Sequence, residues 1–260
     1  MVKDGIAEFE KEYRVHVYET GPNGKLNLFS LFNYLQDIAS DHAEILGFGK
    51  DDLLRDNRFW VLSRLYADIT TWPVWKDRII IRTWPCGTDK IFALRSYEIS
   101  YPDGSLAGYA SSSWLILEKE TKKIQRPDYI YDRHDLSLGK SPIRNATKLD
   151  PAGEQGETSR CFRIKASDLD INLHTNNSGY LRWANDTYDF GFLMKYDPQS
   201  VEINYLAESK YGEEIMIRSS SVDQGSYNHS IYRNDDGKEL CRLRLIWKEA
   251  VIKVKKFQND

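Results

Sequence analysis

The sequence predicts an α+β fold in which one unit occurs twice, each copy laying the apolar face of an antiparallel sheet on a helix. The first of three supporting observations is a repeat. Asp103-Gly104, a hairpin-turn signal, precedes an apolar run ending at Trp114, and Asp236-Gly237 precedes one ending at Trp247, so Asp, Gly and Trp all recur 133 residues apart. Second, Asp77-Arg78-Ile79-Ile80-Ile81-Arg82 resembles Glu213-Glu214-Ile215-Met216-Ile217-Arg218 at a distance of 136. Third, Leu26-Asn27-Leu28 leads to Tyr34-Leu35 as Ile171-Asn172-Leu173 leads to Tyr180-Leu181, with one residue inserted in the second copy. Three matched stretches in one order imply internal duplication.

Each copy is expected to open with a helix. Leu28, Leu31, Phe32, Leu35, Ile38, Ala39 and His42 recur at spacings of three and four, giving an apolar stripe behind Asn27 as candidate cap. The second helix is read from Tyr180, Leu181, Ala184 and Tyr188, entered through Asn176 and Asn177 and ended near Gly191. Segments rich in Val, Ile, Tyr, Trp and Thr follow each helix and read as strands. In the first copy these are Phe59 to Ile69, Arg78 to Trp84, Phe92 to Tyr101 and Leu106 to Leu117. In the second they are Val201 to Leu206, Glu214 to Ser220, Ser226 to Tyr232 and Glu239 to Lys248. The expected organisation is a first domain over 1–130, a linker over 131–158 containing Pro142 and Pro151, a second domain over 159–250 and a tail over 251–260.

Composition narrows the function. A net charge of -3 with both signs interspersed argues against a nucleic-acid partner, and the basic Lys253, Lys255 and Lys256 read as a solvated tail. No window holds the roughly 20 apolar residues of a membrane span, and the N-terminus has no apolar signal core, so a cytoplasmic protein is expected. Cys86, Cys161 and Cys241 are odd in number and widely spaced, as suits a reducing compartment. The five histidines lack the spacings of zinc sites, so neither metal nor cofactor is expected.

The usual nucleophile signatures are absent: the chain has no Gly-x-Ser-x-Gly elbow and no Walker or dinucleotide glycine pattern. Its unusual polar cluster is Asp168-Leu169-Asp170-Ile171-Asn172-Leu173-His174-Thr175-Asn176-Asn177, directly before the second helix. If the segment is extended, Asp170, Asn172 and His174 share one face and Ile171 and Leu173 are buried on the other. Unpaired N–H groups at the helix start can then stabilise an oxygen acquiring negative charge, as acyl transfer requires. Singly, each residue has an ordinary role: an aspartate makes a turn, Asn176 caps, His174 is structural. Their coincidence on one face beside a helix start favours a site.

With these residues in view, the sequence resembles the acyl-(acyl-carrier-protein) thioesterases of plants and bacteria, a family of double hot-dog hydrolases. The N-terminal carriers are Tyr18-Glu19-Thr20-Gly21-Pro22, Leu35-Gln36-Asp37, Trp60-Val61-Leu62-Ser63-Arg64 and Trp72-Pro73-Val74-Trp75. The C-terminal ones are Asp168-Leu169-Asp170-x-Asn172-x-His174-x-Asn176-Asn177 and Val201 through Glu208. The resemblance implies catalytic roles for Asp170, Asn172, His174 and, on the next strand, Glu208; it also implies an acyl carrier protein as partner and a homodimer. Where plant enzymes carry a cysteine after the glutamate, this chain has Ser209, so a cysteine nucleophile is not available there.

The expected mechanism is direct hydrolysis. Glu208 activates water, Asn172, His174 and a helix-start N–H hold the thioester carbonyl, and Asp170 orients His174 and fixes its charge state. Asn176 and Ser209 are candidate substrate contacts. The first copy reads Asn27-Leu28-Phe29 where the second has Asn172-Leu173-His174 and should be non-catalytic, with Phe32, Trp60 and Tyr66 as candidates for lining an acyl tunnel. Core packing is the competing role for each of those three, and for His42. Two other functions fit the same residues: a coenzyme A thioesterase, and a non-catalytic acyl-binding module.

Overall fold

The structure is a computed structural model that describes residues 8–128, 130, 144–153 and 158–250. The 251–260 tail and most of the expected linker, with Pro142, lie outside the described residues. The strands are β1 (Phe9–Arg14), β2 (Arg58–Ile69), β3 (Arg78–Asp89), β4 (Phe92–Ser100), β5 (Leu106–Glu118) and β6 (Ile124–Gln125), then β7 (Thr158–Arg163), β8 (Tyr196–Tyr205), β9 (Glu214–Asp223), β10 (Ser226–Arg233) and β11 (Glu239–Glu249). The helices are α1 (Leu28–Ile45), α2 (Lys50–Arg55), α3 (Asn177–Asn185) and α4 (Phe190–Lys195).

The strands form one sheet in the order β1-β3-β4-β5-β2-β8-β11-β10-β9-β7, with β6 pairing β5. Each half has the same internal order, and the halves join through the antiparallel pair β2–β8. Leu65 faces Ile203, Tyr66 faces Glu202 and Ala67 faces Val201. Because residues 65 and 201, and 67 and 203, are also 136-residue equivalents, a pseudo-two-fold axis passes between Tyr66 and Glu202. The fold is thus α+β, a tandem hot-dog whose two sheets merge edge to edge.

Alternation along each strand puts Leu65, Ala67, Val201 and Ile203 toward the helices, where one apolar cluster runs through both copies. Residues of the α1 stripe, Leu31, Phe32, Leu35 and Ile38, are in it at 0–1% exposure. α1 ends in a Schellman motif: Gly47, at φ 80, donates to the Glu44 carbonyl and Phe48 to that of Ala43. Asn27 sits at the expected cap position, but its side chain makes no cap hydrogen bond. Residues 144–152 cross the opposite face of the sheet and satisfy several of its buried polar groups. Arg144 and Thr147 bind Glu202, Leu149 N–H donates to Asn204 Oδ1 (2.8 Å) and Ala152 N–H to Ser230 Oγ (2.8 Å).

Three expectations are corrected. Each copy opens with an edge strand, β1 or β7, rather than with the helix. β1 reads Phe-Glu-Lys-Glu-Tyr-Arg and alternates half-buried with exposed positions, so its apolar signal is too weak to mark a strand. The second helix is broken: α3 spans 9 residues against 18 for α1, and Gly191 lies inside α4 rather than at an end. β8 begins at Tyr196, five residues before the expected Val201, because the run interrupted by Pro198 still pairs with β11.

Candidate active site

The Asp170–His174 segment is a turn, not an extended strand. Leu169 bridges Thr175, Asp170 N–H donates to the His174 carbonyl (2.8 Å) and Leu173 N–H returns to that of Asp170 (3.1 Å). The Asp170 side chain closes the turn from inside, Oδ1 accepting from the backbone N–H of Asn172 (2.8 Å) and of His174 (3.2 Å). Asn172 Nδ2 donates to Asp170 Oδ2 at 3.3 Å. Two expectations fail here: Ile171 and Leu173 are not buried but 83% and 72% exposed, and Asp170 orients the backbone that carries His174 rather than its ring. The reason is Leu173, whose φ of 62 reverses the chain and cancels the two-residue alternation.

The segment is pinned from both sides. Asp168 is buried, accepts from Lys165 N–H and pairs with Arg182 of α3, while Asn176 N–H donates to its carbonyl. His174 bridges Lys210, and Thr175 N–H donates to the Ser209 carbonyl (2.9 Å). That registration brings Glu208 alongside: His174 Nε2 lies 3.3 Å from Glu208 Oε2, with the side chains 32% and 49% exposed. Glu208 lies beyond the end of β8 rather than on a strand. Leu206 and Ala207 donate to the Leu240 carbonyl, and Arg233 Nη2 donates to the Glu208 carbonyl (2.8 Å). Asp170, Asn172, His174 and Glu208 therefore meet at one open edge.

The five candidate substrate contacts are dispersed. Asn176 caps α3, its Oδ1 accepting from Ser178 N–H and Oγ, both at 3.0 Å. Ser209 is fully buried between the Tyr180 hydroxyl and Thr175 Oγ1, each at 2.8 Å, and does not face the site. Phe32 is sealed in the core at 0% exposure and borders no open tunnel. Tyr66 is on the sheet face opposite the helices, under the Arg144 guanidinium at 4.3 Å, which removes it from any tunnel beneath α1. Burial and the neighbouring Asp68 push its hydroxyl up to about 12. Trp60 donates to the Phe48 carbonyl (2.9 Å) and packs against a second apolar cluster containing Leu46, Phe48, Leu53 and Ile116.

Sequence reasoning missed two contacts that the first copy makes with the 170–177 segment. Lys50, the first residue of α2, reaches across so that its Nζ lies 3.4 Å from Asn172 Oδ1, and Gln36 of α1 accepts from Asn177 Nδ2 at 2.8 Å. Gln36 falls within the Leu35-Gln36-Asp37 stretch of the resemblance, but nothing local marks either contact, because the contacts exist only once the halves are joined. Among the described residues no cluster of three or more His, Cys, Asp or Glu is arranged to hold a metal ion.

Comparison with known proteins decides the family. The profile of the acyl-ACP thioesterase N-terminal domain matches residues 7–132, and that of the C-terminal domain residues 152–249. The chain belongs to the acyl-ACP thioesterase family. It is 23% identical to the chloroplastic oleoyl-acyl carrier protein thioesterase of Coriandrum sativum over 86% of its length, and 24% to the palmitoyl-acyl carrier protein thioesterase of Gossypium hirsutum over 95%. It spans 65% of the length of each of these relatives. Among solved structures it resembles an acyl-ACP thioesterase from Bacteroides thetaiotaomicron (TM-score 0.83, 26% identity, 93% of this chain and 98% of that one). The 12:0-ACP thioesterase of Umbellularia californica has the same fold (TM-score 0.84, 18% identity, 94% and 98%).

Within this acyl-ACP thioesterase fold the corresponding loop of the first copy carries different residues. Its bridges Thr20–Leu26 and Lys25–Val74 match Leu169–Thr175 and His174–Lys210, so the true equivalence places residue 25 on 174, 149 apart, and residue 72 on 208, 136 apart. The expected pairing of Asn27-Leu28-Phe29 with Asn172-Leu173-His174 is thus shifted by four residues; the partners are Asn23-Gly24-Lys25. Pro22-Asn23-Gly24 was the missed signal, since a turn in one copy implies a turn in the other. Where the second copy has Asp170, His174 and Glu208, the first has Gly21, Lys25 and Trp72. Lys25 is paired with buried Asp197, and Trp72 Nε1 donates to the Pro198 carbonyl (2.6 Å). A cavity of about 60 Å³ lies beside Lys25, Leu28, Tyr196 and Trp247.

Proposed function

We propose that the chain hydrolyses the thioester of fatty acyl–acyl carrier protein, releasing the fatty acid and the carrier thiol, with catalysis at Glu208, His174, Asn172 and Asp170. The observation that carries this reading is the 3.3 Å approach of His174 Nε2 to Glu208 Oε2 beside Asn172 at an open edge. A carboxylate held by an imidazole is a general base for water. Water gives a proton to Glu208 as its oxygen bonds the carbonyl carbon. The resulting oxyanion is met by Asn172 Nδ2 and by Asn177 N–H, the helix-start donor left when Ser178 and Gly179 donate to Asn176. Collapse breaks the C–S bond, and the departing thiolate needs little protonation because thiols have a pKa of about 8.5. In the resting site His174 faces Glu208, so it steers the base rather than holding the carbonyl.

The acyl chain then lies toward Trp60 and the second apolar cluster, which Lys50 of α2 links to the catalytic turn. No helix among the described residues is long and apolar enough to cross a membrane; a cytoplasmic homodimer completes the proposal, on the cysteine usage and the family resemblance respectively. The test is thiol release from matched acyl-carrier-protein and acyl-coenzyme A substrates. The expected result is faster turnover of the carrier protein thioester, with losses of about 100-fold or more in Glu208→Gln and His174→Ala. Near-native rates in both folded variants would place the chemistry elsewhere.

A further inference from the structure

We infer that Leu173, with Ile171 beside it, is an apolar lip that packs against the thiol-side arm of the substrate, the pantetheine chain joining the thioester sulfur to its carrier. The inference rests on the active site proposed above and adds a subsite to it. Leu173 holds a left-handed backbone, φ 62, at the place where the first copy has Gly24 at φ 73 in a turn closed by equivalent bridges. The turn therefore requires a left-handed residue, and glycine meets that requirement without the steric cost a leucine incurs. The side chain does not recover the cost within the fold: it is 72% exposed and belongs to neither apolar cluster, and Ile171 is 83% exposed.

Position says what these groups meet. They flank Asn172, and Leu173 directly precedes His174, so they stand on the solvent side of the reacting carbonyl. An apolar acyl chain runs inward and a folded carrier stays outside, which leaves only the arm to cross this rim. Its methylene and branched methyl groups offer apolar surface to two aliphatic side chains, with Lys50 Nζ 3.4 Å from Oδ1 of Asn172, which lies between them in sequence.

The experiment compares one acyl group on pantetheine and on 2-mercaptoethanol, which lacks the arm, using Leu173→Asn and Leu173→Met. Asparagine tolerates the left-handed backbone and removes the apolar surface; methionine keeps it. The expected result for Leu173→Asn is a fall of about fivefold in kcat/KM on acyl-pantetheine relative to the armless ester, carried by KM, at an undiminished thermal midpoint. Leu173→Met should lie within twofold of native. Equal losses on both esters, a loss carried by kcat, or no loss would overturn the lip while leaving hydrolysis standing. Absence of thiol release by the native chain from either ester would overturn the reading beneath it.

Discussion

The Asp170 carboxylate touches His174 only through the backbone: Oδ1 accepts the His174 N–H at 3.2 Å and the Asn172 N–H at 2.8 Å. Its work is therefore to fold the turn that aims both side chains. Asp170→Ala should lower kcat about 100-fold, the scale of an ångström-sized misplacement. Asp170→Asn keeps an Oδ1 acceptor but turns an N–H toward Asn172 Nδ2, so a smaller loss of about tenfold is expected. Equal losses in the two variants, measured by thiol release, would show that the carboxylate charge matters and not the turn.

Ser209 is a structural hydroxyl. Fully buried, it links Tyr180 to Thr175 at 2.8 Å on each side. Ser209→Ala strands the two partners and should cost about 1–3 kcal/mol by urea unfolding while retaining most of the activity. Complete loss of turnover in a folded variant would instead identify a covalent acyl-serine.

The ion pair of the first-copy loop bears on stability. Asp197 is 4% exposed, and its Oδ1 has no hydrogen-bond partner, so Lys25 is its main compensation. Lys25→Met should destabilise by about 3–5 kcal/mol, and adding Asp197→Leu should recover much of that loss. Calorimetry of the single and double variants decides it, with activity of the folded protein unaffected because the loop lacks His174 and Glu208 equivalents.

His229 gives the chain an acid limit. Its ring is fully enclosed between the Tyr188 hydroxyl and Ser219 Oγ, each at 2.8 Å, and burial lowers its pKa from 6.5 to about 3. The folded state thus binds fewer protons than the unfolded state between these values. Its contribution is intact above pH 6.5 and is lost as pH falls toward 3, at up to about 1.4 kcal/mol per pH unit. In His229→Gln the unfolding free energy should decline less steeply over that window. An unchanged slope would assign the acid sensitivity to carboxylates.

The sequence by itself determined the duplication, the stripe of α1, the turns at Gly104 and Gly237 and the address of the polar cluster. These are written in local periodicity and in residues whose backbone preferences act wherever they sit. Only the tertiary structure decided what shape that cluster takes. The alternation from Asp170 to His174 reads as a strand until bridges to Thr175 and Lys210 close it into a turn at Leu173, exposing the two apolar residues expected inside. The same long-range pairing brings Glu208 to His174, buries Ser209, turns Tyr66 to the far face and delivers Lys50 from the other copy. Each depends on a partner distant in sequence, whose position is fixed only when apolar burial selects one register of the sheet; the Lys50 contact further needs the closure across β2 and β8.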